Sequence, residues 1–378
     1  MKINKIVVII VAFLLMCLSL STAINNFDLD RNGIVDMRDL AIAWHQFGGT
    51  ASAYTPATAN PYIYQIYSNN GNIYAKDQNG IIRYSGTKPS PVIQSALDNA
   101  KNGGEILVKK GTYTDDKWNL QIYNENIKLS GEKGTIFKVS PGKEIHQFIY
   151  INTNNAAVDG FELNGLKARM SNGIYVVSNG NISNIIIKNI KAGNIGSKGT
   201  DAAITVEGYN AINNMMIKNI QISDSILTNN YRGITILGSG FSTIYGVTIK
   251  NISVKNSIED GISIWGTKVL TLRDITSNSS GRHGITISAE HFNTDNLQAY
   301  NNKNSGIVIT EYAKYGVMNN TITMYNTWHG INIDTTLSGG LAADAYLTIN
   351  GGTGYKSTLY HGLYINGANH VTVNGLVL

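Results

Sequence analysis

The sequence predicts an all-β fold: a right-handed, single-stranded parallel β-helix (solenoid) with an N-terminal helical cap, preceded by a small EF-hand-like helical module. A short phrase returns along the chain, namely glycine, a branched apolar residue, any residue, then isoleucine or valine. Its glycines are Gly173, Gly233, Gly261, Gly284, Gly306, Gly330 and Gly362, and Ala203 stands where one is missing. The phrase recurs every 22 to 32 residues. Each unit holds short alternating runs that suit a coil of three strands, and stacked coils bury a continuous core.

The composition supports this prediction. The chain has 39 glycines and 5 prolines, and tight turns between short strands need residues that tolerate a positive φ angle. The formal charge of +5 is mild, and no basic face with interleaved aromatic residues is visible. We therefore expect no nucleic acid partner and no organic cofactor.

A second phrase alternates apolar residues and ends in asparagine or aspartate once per repeat. These residues are Asn189, Asn219, Asn251, Asp274, Asn296, Asn320, Asn350 and Asn374. We interpret them as one structural ladder whose amides bond from coil to coil at a tight turn. The basic residues Lys188, Lys218, Lys250 and Arg273 precede this ladder and fit either a solvated edge or a polyanion contact.

The N-terminus predicts export. Lys2 and Lys5 precede an apolar run at 6–20 and the small residues Ser21 to Ala23, the pattern of a Sec signal peptide at 1–23. The run is short for a membrane span, so we expect no stable span in the mature chain, with an uncleaved anchor as the alternative. An extracellular or cell-surface location follows.

Residues 24–49 predict a calcium-binding module. Oxygen-bearing side chains at loop positions 1, 3, 5, 9 and 12, with Gly33 at position 6, can surround one Ca²⁺ ion. The predicted ligands are Asp28, Asp30, Asn32, the Ile34 carbonyl, Asp36 and Asp39. The segment at 40–47 has helical spacing of apolar residues.

This loop resembles a dockerin repeat. Asp39 at position 12 and a hydrophobic residue at position 8 are typical of dockerins, which anchor carbohydrate-active enzymes to cohesin partners. The resemblance implies a cohesin-type or cell-surface partner. Dockerins have two such repeats and this chain has one, so a spacer role is the alternative. Residues 50–61 predict a linker.

The β-helix is predicted at 62–378, and its cap near the start. Ser90 as an N-cap, Pro91 and an amphipathic stripe predict a helix to Ala100. A Gly-Gly-strand-Gly-Thr-Tyr segment follows at 103–113. Together they resemble the N-terminal cap of pectate-lyase-superfamily β-helices, which covers the edge of the first coil.

Outward positions around the glycine phrase define three columns: one residue before, two after and four after each glycine. In the central coils they gather acids, bases, cations and aromatic rings, as a sugar site requires. We predict catalytic roles for His283, Arg282 and Asp260, and substrate contacts from Arg232, Trp265, Trp328, His329, Asp334 and Glu207. Polar outward residues are also normal on a solenoid, so a surface without chemistry is the competing interpretation.

The stretch at 231–308 resembles consecutive coils of secreted mannuronan C-5 epimerases. The match includes Arg282 and His283, which correspond to residues of that family's substrate groove. Where the family has its catalytic aspartate and histidine, this chain has Thr235 and Leu237. The carboxylate pair of polygalacturonases is echoed only loosely by Glu259 and Asp260.

These observations predict a polysaccharide partner. The leading hypothesis is a secreted protein that acts on an acidic, uronate-containing polysaccharide by lyase- or epimerase-type proton abstraction. His283 would be the base, Arg282 and Arg232 would neutralise the uronate carboxylate, and Trp265 would stack on a sugar ring. The alternative is a non-catalytic, glycan-binding scaffold of the cell surface or envelope. A hydrolase-like activity is a further possibility.

Overall fold

The computed structural model describes residues 62–166, 170–178, 180–208, 216–238, 244–335 and 345–378. The predicted signal peptide, calcium-binding module and linker lie outside these residues, and they stay predictions. The described part is mostly β and forms a parallel β-solenoid of about nine turns. The predicted fold class is thereby confirmed.

The first elements form an antiparallel meander and a helix. They are β1 (Tyr64–Asn69), β2 (Asn72–Asp77), β3 (Ile82–Gly86) and α1 (Pro89–Asn99). The solenoid strands then follow as β4 (Gly104–Val108), β5 (Gly111–Asp115), β6 (Leu120–Ile122), β7 (Ile127–Val139), β8 (Ile145–Ile151), β9 (Ala157–Asn164), β10 (Met170–Val177), β11 (Ile182–Lys188), β12 (Lys191–Gly193), β13 (Ala202–Gly208), β14 (Ile217–Thr228), β15 (Ile234–Gly238), β16 (Ile244–Lys255), β17 (Ile262–Asn278), β18 (Ile285–Tyr300), β19 (Ile307–Thr310), β20 (Tyr315–Met324), β21 (Ile331–Asp334), β22 (Tyr346–Tyr355), β23 (Leu363–Asn366) and β24 (Val371–Asn374).

The strands that follow the glycine phrase stack into one parallel sheet, which we call the Gly face. It runs β6, β8, β10, β13, β15, β17, β18, β19, β21 and β23, with β17 and β18 contributing their first residues. A second face contains the first half of β16, the middle of β17 and β18, and the first halves of β20 and β22. The long strands bend from this second face into a third.

Inward side chains of the Gly face form a continuous apolar column. Ile204, Ile234, Ile262, Ile285 and Ile307 pair in register from coil to coil, and all are fully buried. Burying an isoleucine side chain stabilises the fold by roughly 1.5 to 3 kcal/mol. The alternating pattern read from the sequence therefore sets both the register and the core.

The glycine of the phrase is required by close backbone approach. A Cβ atom at Gly233 would lie 2.6 Å from the carbonyl oxygen of Gly261, and a Cβ at Gly261 would lie 2.6 Å from that of Gly284. The same contact repeats at Gly284 and Gly306, at 2.5 and 2.7 Å. At these four glycines the backbone of the next coil leaves no room for a Cβ atom, whereas the coil of Ala203 accommodates a methyl group at the equivalent position.

The asparagine ladder predicted from the sequence is confirmed as a structural feature, but its membership is corrected. Positive-φ positions form separate columns, and Asn189 aligns with Asp224 and then Asn251, not with Asn219. Asn219 belongs to another ladder, in which its Nδ2 donates to Asn184 Oδ1 at 3.1 Å.

Two further corrections follow from the same register. Asn350 and Asn374 lie one position before left-handed glycines, Gly351 and Gly375. Lys218 pairs with Ser183 and Tyr245, so it lies outside the column of Lys188, Lys250 and Arg273. The predicted column of four basic residues was wrong at Lys218, because the coil at 216–228 contains two stretches of alternating apolar residues. Ser223 occupies the position in this column between Lys188 and Lys250.

The helical cap is confirmed, with a corrected start. α1 begins at Pro89 with Lys88 as its N-cap, and Ser90 is buried within the first turn. Ser90 donates from its backbone N–H and its hydroxyl to Asp115 Oδ2, at 2.9 and 2.8 Å. The carboxylate of a neighbouring strand thus satisfies a free N–H of the helix start.

α1 also supplies hydrogen-bond partners for the backbone of β6, the first strand of the Gly face. Gln94 donates to the carbonyl oxygen of Gln121 and accepts from its N–H, at 3.0 and 2.8 Å. Asn124 donates to the carbonyl oxygen of Leu97 at 2.8 Å. The Gln94 bonds satisfy backbone groups of β6, and the Asn124 amide joins the Ala100 N–H as a donor to the Leu97 carbonyl at the helix end.

Candidate functional site

The register of the Gly face confirms that the predicted columns exist. Two residues after each glycine, Thr205 pairs with Thr235, then Ser263, then Thr286. Four residues after it, Glu207, Leu237, Trp265 and Ser288 follow one another in the same way. One residue before it, backbone bonds join consecutive coils, such as Gly261 N–H to the carbonyl oxygen of His283 at 3.0 Å. The site residues therefore come from successive coils about 4.8 Å apart.

A charged group lies at the centre of the face, formed by Glu259, Asp260 and Arg282. The Asp260 side chain is fully buried, and Arg282 donates to both of its oxygens, with Nε at 2.7 Å from Oδ1. Arg282 Nε also lies 3.3 Å from Glu259 Oε2. Asp260 raises the pKa of Arg282, so the guanidinium stays charged. Two of the predicted catalytic residues thus neutralise each other.

This pairing bears on two predicted roles. Arg282 is less suited than an unpaired cation to neutralise a substrate carboxylate, because its Nε and one terminal nitrogen already bond Asp260. Asp260 is inaccessible, so it cannot form the acid and base pair of a hydrolase with Glu259. The geometry does not favour either role.

His283 is brought beside this group, but in a fixed hydrogen-bonding state. Its Nδ1 accepts the backbone N–H of Ser305 at 3.3 Å, and its own backbone N–H donates to Asp260 Oδ1 at 3.1 Å. Burial lowers the pKa of His283, with Arg282 adding to this effect and Asp260 opposing it. The ring is therefore neutral at neutral pH and carries its hydrogen on Nε2. A base role at Nε2 needs the other tautomer, so this geometry does not favour it.

Arg232 differs from Arg282 in having no carboxylate partner among the described residues. Its guanidinium lies 6.0 Å from the centre of the Tyr231 ring, and its Nε is buried without a hydrogen-bond acceptor. It stands one coil before Asp260 on the column that precedes the glycines. A half-buried, unpaired guanidinium is suited to bind an anion, because it lacks a competing internal partner.

The floor of the face consists of small hydroxyl residues. Thr205, Thr235, Ser263 and Thr286 alternate along their strands with the inward isoleucines, and each is almost completely buried. The indole N–H of Trp265 donates to Ser263 Oγ at 2.9 Å, so the ring lies back along its own strand. Trp265, a predicted sugar contact, is half-buried and held by this bond.

An exposed aromatic group lies further along the same face, formed by Trp328, Tyr360, His361 and Tyr364 around the buried His329. The Trp328 and Tyr360 rings meet edge to face at 5.8 Å and 70°, and their exposed fractions are 44% and 55%. His329 stacks on Tyr364 at 4.6 Å and on His361 at 5.7 Å. The predicted contacts Trp328 and His329 are thereby brought together.

Tyr360 was missed by sequence reasoning, although a signal was present. It stands two residues before Gly362, and the same position in earlier coils holds Trp328, Arg282 and Glu259. The columns read from the sequence began one residue before the glycine, so this row was left out. A fourth column would have found it.

The two predicted acidic contacts have partners in neighbouring coils. Glu207 Oε2 accepts the Tyr175 hydroxyl at 2.7 Å. Asp334 Oδ1 accepts Nδ2 of Asn366 at 3.1 Å. Both lie on the column four residues after the glycines, on opposite sides of the charged group. They border the face rather than join the charged group.

The described residues contain no group of three or more histidine, cysteine, aspartate or glutamate side chains placed to hold a metal ion. The predicted calcium ligands at 28–39 lie outside these residues. No helix in the part of the chain that the structure describes is long and apolar enough to cross a membrane.

No protein-family model and no curated protein sequence matches this chain. Solved structures are similar in fold. The mannuronan C-5 epimerase AlgE4 A-module of Azotobacter vinelandii has a TM-score of 0.52 at 13% identity, covering 77% of this chain and 91% of that one. An alginate lyase from Paenibacillus sp. str. FPU-7 has 0.56 at 13%, covering 75% and 97%.

A polygalacturonase from Erwinia carotovora ssp. carotovora has a TM-score of 0.56 at 10% identity, covering 84% of this chain and 96% of that one. These proteins are polysaccharide-acting enzymes built on a parallel β-helix. At such identities the likeness establishes the fold alone. The class of this chain is therefore a parallel β-helix protein with pectate-lyase-like structural neighbours.

Proposed function

We propose that this chain binds a linear, uronate-containing polysaccharide along its Gly face. The observation that carries the proposal is the exposed aromatic group on the same face as the charged group. Trp328 lies two coils beyond Arg282, which corresponds to about 10 Å at the usual coil spacing. Because Trp328 and Tyr360 meet edge to face, they leave ring surface open to the C–H face of a sugar.

Arg232 supports an acidic ligand. It is the arginine of this face without a carboxylate partner among the described residues, and its Nε has no acceptor. A uronate carboxylate would pair with the guanidinium group through a charge-assisted hydrogen bond. We also propose that the chain is exported, since a secreted protein can reach an extracellular polysaccharide. The calcium-binding module at 24–49 is part of the same proposal.

The test is a binding screen of the full chain against alginate, polygalacturonate and a neutral polysaccharide. Arg232→Gln removes the charge, and we expect it to weaken binding of the acidic ligand by about tenfold. Trp328→Ala should weaken binding of that ligand as well. Arg273→Gln is the matched control, because Arg273 is exposed on the second face. Unchanged affinity in both Gly-face variants would contradict the proposal.

A second candidate is lyase- or epimerase-type proton abstraction at the same site. Its support is that burial lowers the pKa of His283, which keeps the imidazole neutral at neutral pH. A base role at Nε2 also requires the other tautomer, in which Nδ1 carries the hydrogen and gives up the bond from the Ser305 N–H. The same polymers should then yield unsaturated ends, seen by ultraviolet absorbance, or inverted C5 centres, seen by NMR. His283→Ala should abolish either product. Binding without any product would leave a non-catalytic glycan-binding surface.

A further inference from the structure

Three tyrosines form a cluster at the N-terminal end of the Gly face: Tyr123, Tyr150 and Tyr175, which we call the tyrosine triad. Tyr150 and Tyr175 pair in register on the column two residues after the glycines, and Tyr123 directly follows β6. The ring centres of Tyr123 and Tyr150 are 5.8 Å apart, and those of Tyr150 and Tyr175 are 5.9 Å apart. We propose that the triad is a second sugar-binding subsite for the same polysaccharide. This inference rests on the proposed function.

The ring geometry distinguishes the triad from the aromatic column of the second face. In the triad the ring planes meet edge to face, at 65° and 73°, so each contact covers part of one face of one ring and leaves the other faces open. On the second face His291, Tyr315, Tyr346 and His370 stack at 15°, 13° and 1°. There the inner rings have both faces occupied and expose only their edges. A sugar ring needs an open aromatic face, which the triad provides.

The triad also has a hydrogen-bonding group at its border. The Tyr175 hydroxyl donates to Glu207 Oε2, which fixes the orientation of that phenol. The carboxylate can accept further hydrogen bonds from sugar hydroxyls. Tyr123 is 52% exposed, so its ring is accessible to a ligand. An open aromatic platform with a carboxylate beside it is the usual composition of a sugar-binding surface.

The distance between the two aromatic clusters defines how long a ligand must be to contact both. From Tyr175 the register steps through Thr205, Thr235, Ser263, Thr286 and Val308 to Asn332, in the coil of Trp328. Six steps at about 4.8 Å give about 29 Å along the solenoid axis. Small hydroxyl side chains occupy most of this path. The ligand that contacts both ends is therefore a long, extended glycan, and short fragments reach only one end.

The test compares oligosaccharides of about three and about eight sugar units, prepared from the polymer that binds, by titration calorimetry with the full chain. We expect the longer ligand to bind about tenfold more tightly, the gain of one aromatic platform. Tyr123→Ala should remove this gain and leave the short ligand unaffected. Tyr150→Phe keeps the ring and should preserve the gain. Tyr346→Ala, 47% exposed on the second face, is the matched control and should change neither affinity.

Four outcomes would contradict the proposals, and circular dichroism confirms that each variant folds. Equal affinity for both lengths, or a retained gain in Tyr123→Ala, overturns this inference and leaves the proposed function intact. Equal weakening of both ligands by Tyr123→Ala also overturns it, because the triad would then act through the fold. Failure of every length and of the polymer to bind refutes the proposed function itself.

Discussion

Asp260 is a fully buried carboxylate that depends on its neighbours for stabilisation. Arg282 donates to both oxygens, and the backbone N–H of His283 donates to one of them. Burying a charge without a partner is costly, whereas Arg282 is 37% exposed and can turn to water. Loss of the arginine is therefore expected to be more harmful than loss of the pair.

Arg282→Ala should lower the free energy of unfolding by about 2 kcal/mol, below the range for fully buried pairs because the guanidinium is partly exposed. Asp260→Ala combined with Arg282→Ala should recover part of that loss, since no buried charge remains. Urea unfolding followed by circular dichroism measures both. A double variant that is less stable than Arg282→Ala would show that Asp260 stabilises the coil without its partner.

His283 predicts a pH dependence of stability. Burial depresses its pKa below the ordinary value of 6.5, so the unfolded chain binds a proton more readily than the folded one. The contribution is fully present above pH 6.5 and is lost as pH falls toward the folded pKa. His283→Asn keeps an acceptor for the Ser305 N–H and removes the titration. Melting temperatures between about pH 7 and 5 should fall less in this variant than in the wild type; parallel curves would contradict the assignment.

At the scale of the coil, the glycine phrase marks where the backbones of consecutive coils approach each other most closely. Gly261→Ala would place a methyl group 2.6 Å from the carbonyl oxygen of Gly284. We expect a loss of about 2 kcal/mol, as in other overpacked sites. Gly180→Ala is the control, because its Cβ would meet nothing within 4 Å. Equal melting temperatures of the two variants would show that the crossing has room to adjust.

The sequence predicted the strand columns because their markers are steric. Glycine occupies seven of the eight positions of this column and Ala203 the eighth, so the phrase around Gly233 and Gly261 reports the register directly. The asparagine ladders were harder to separate, because Asn219 and Asp224 both follow alternating apolar residues and both adopt a positive φ. Aspartate tolerates that conformation as asparagine does. Two positions in the same coil therefore matched the asparagine phrase, and the sequence did not distinguish them.

The hydrogen-bonding state of the site was beyond sequence reasoning. Arg282 and Arg232 are both arginines next to the glycine phrase, yet one is paired with Asp260 and the other has no carboxylate partner among the described residues. That difference depends on side-chain conformation, which periodicity does not encode. The hydrogen bond to Nδ1 of His283 was equally beyond sequence reasoning, since its donor is the backbone N–H of Ser305 in the next coil.

At the scale of the whole molecule, the solenoid lines up residues that are far apart in sequence. Tyr123 and Tyr360 lie at opposite ends of one face because each coil contributes one row to it. In such a fold every coil contacts its neighbours alone, so an extended surface forms without long-range packing. A linear polymer matches that geometry better than a compact small molecule does.

The measurement that tests the central claim most directly is a crystal structure of the full chain with a bound acidic oligosaccharide of about eight units, the length that spans about 29 Å of coils. We predict sugar density along the Gly face, with a ring against Trp328 and a carboxylate within hydrogen-bonding distance of Arg232. Density on the second or third face, without contact to either residue, would contradict the account.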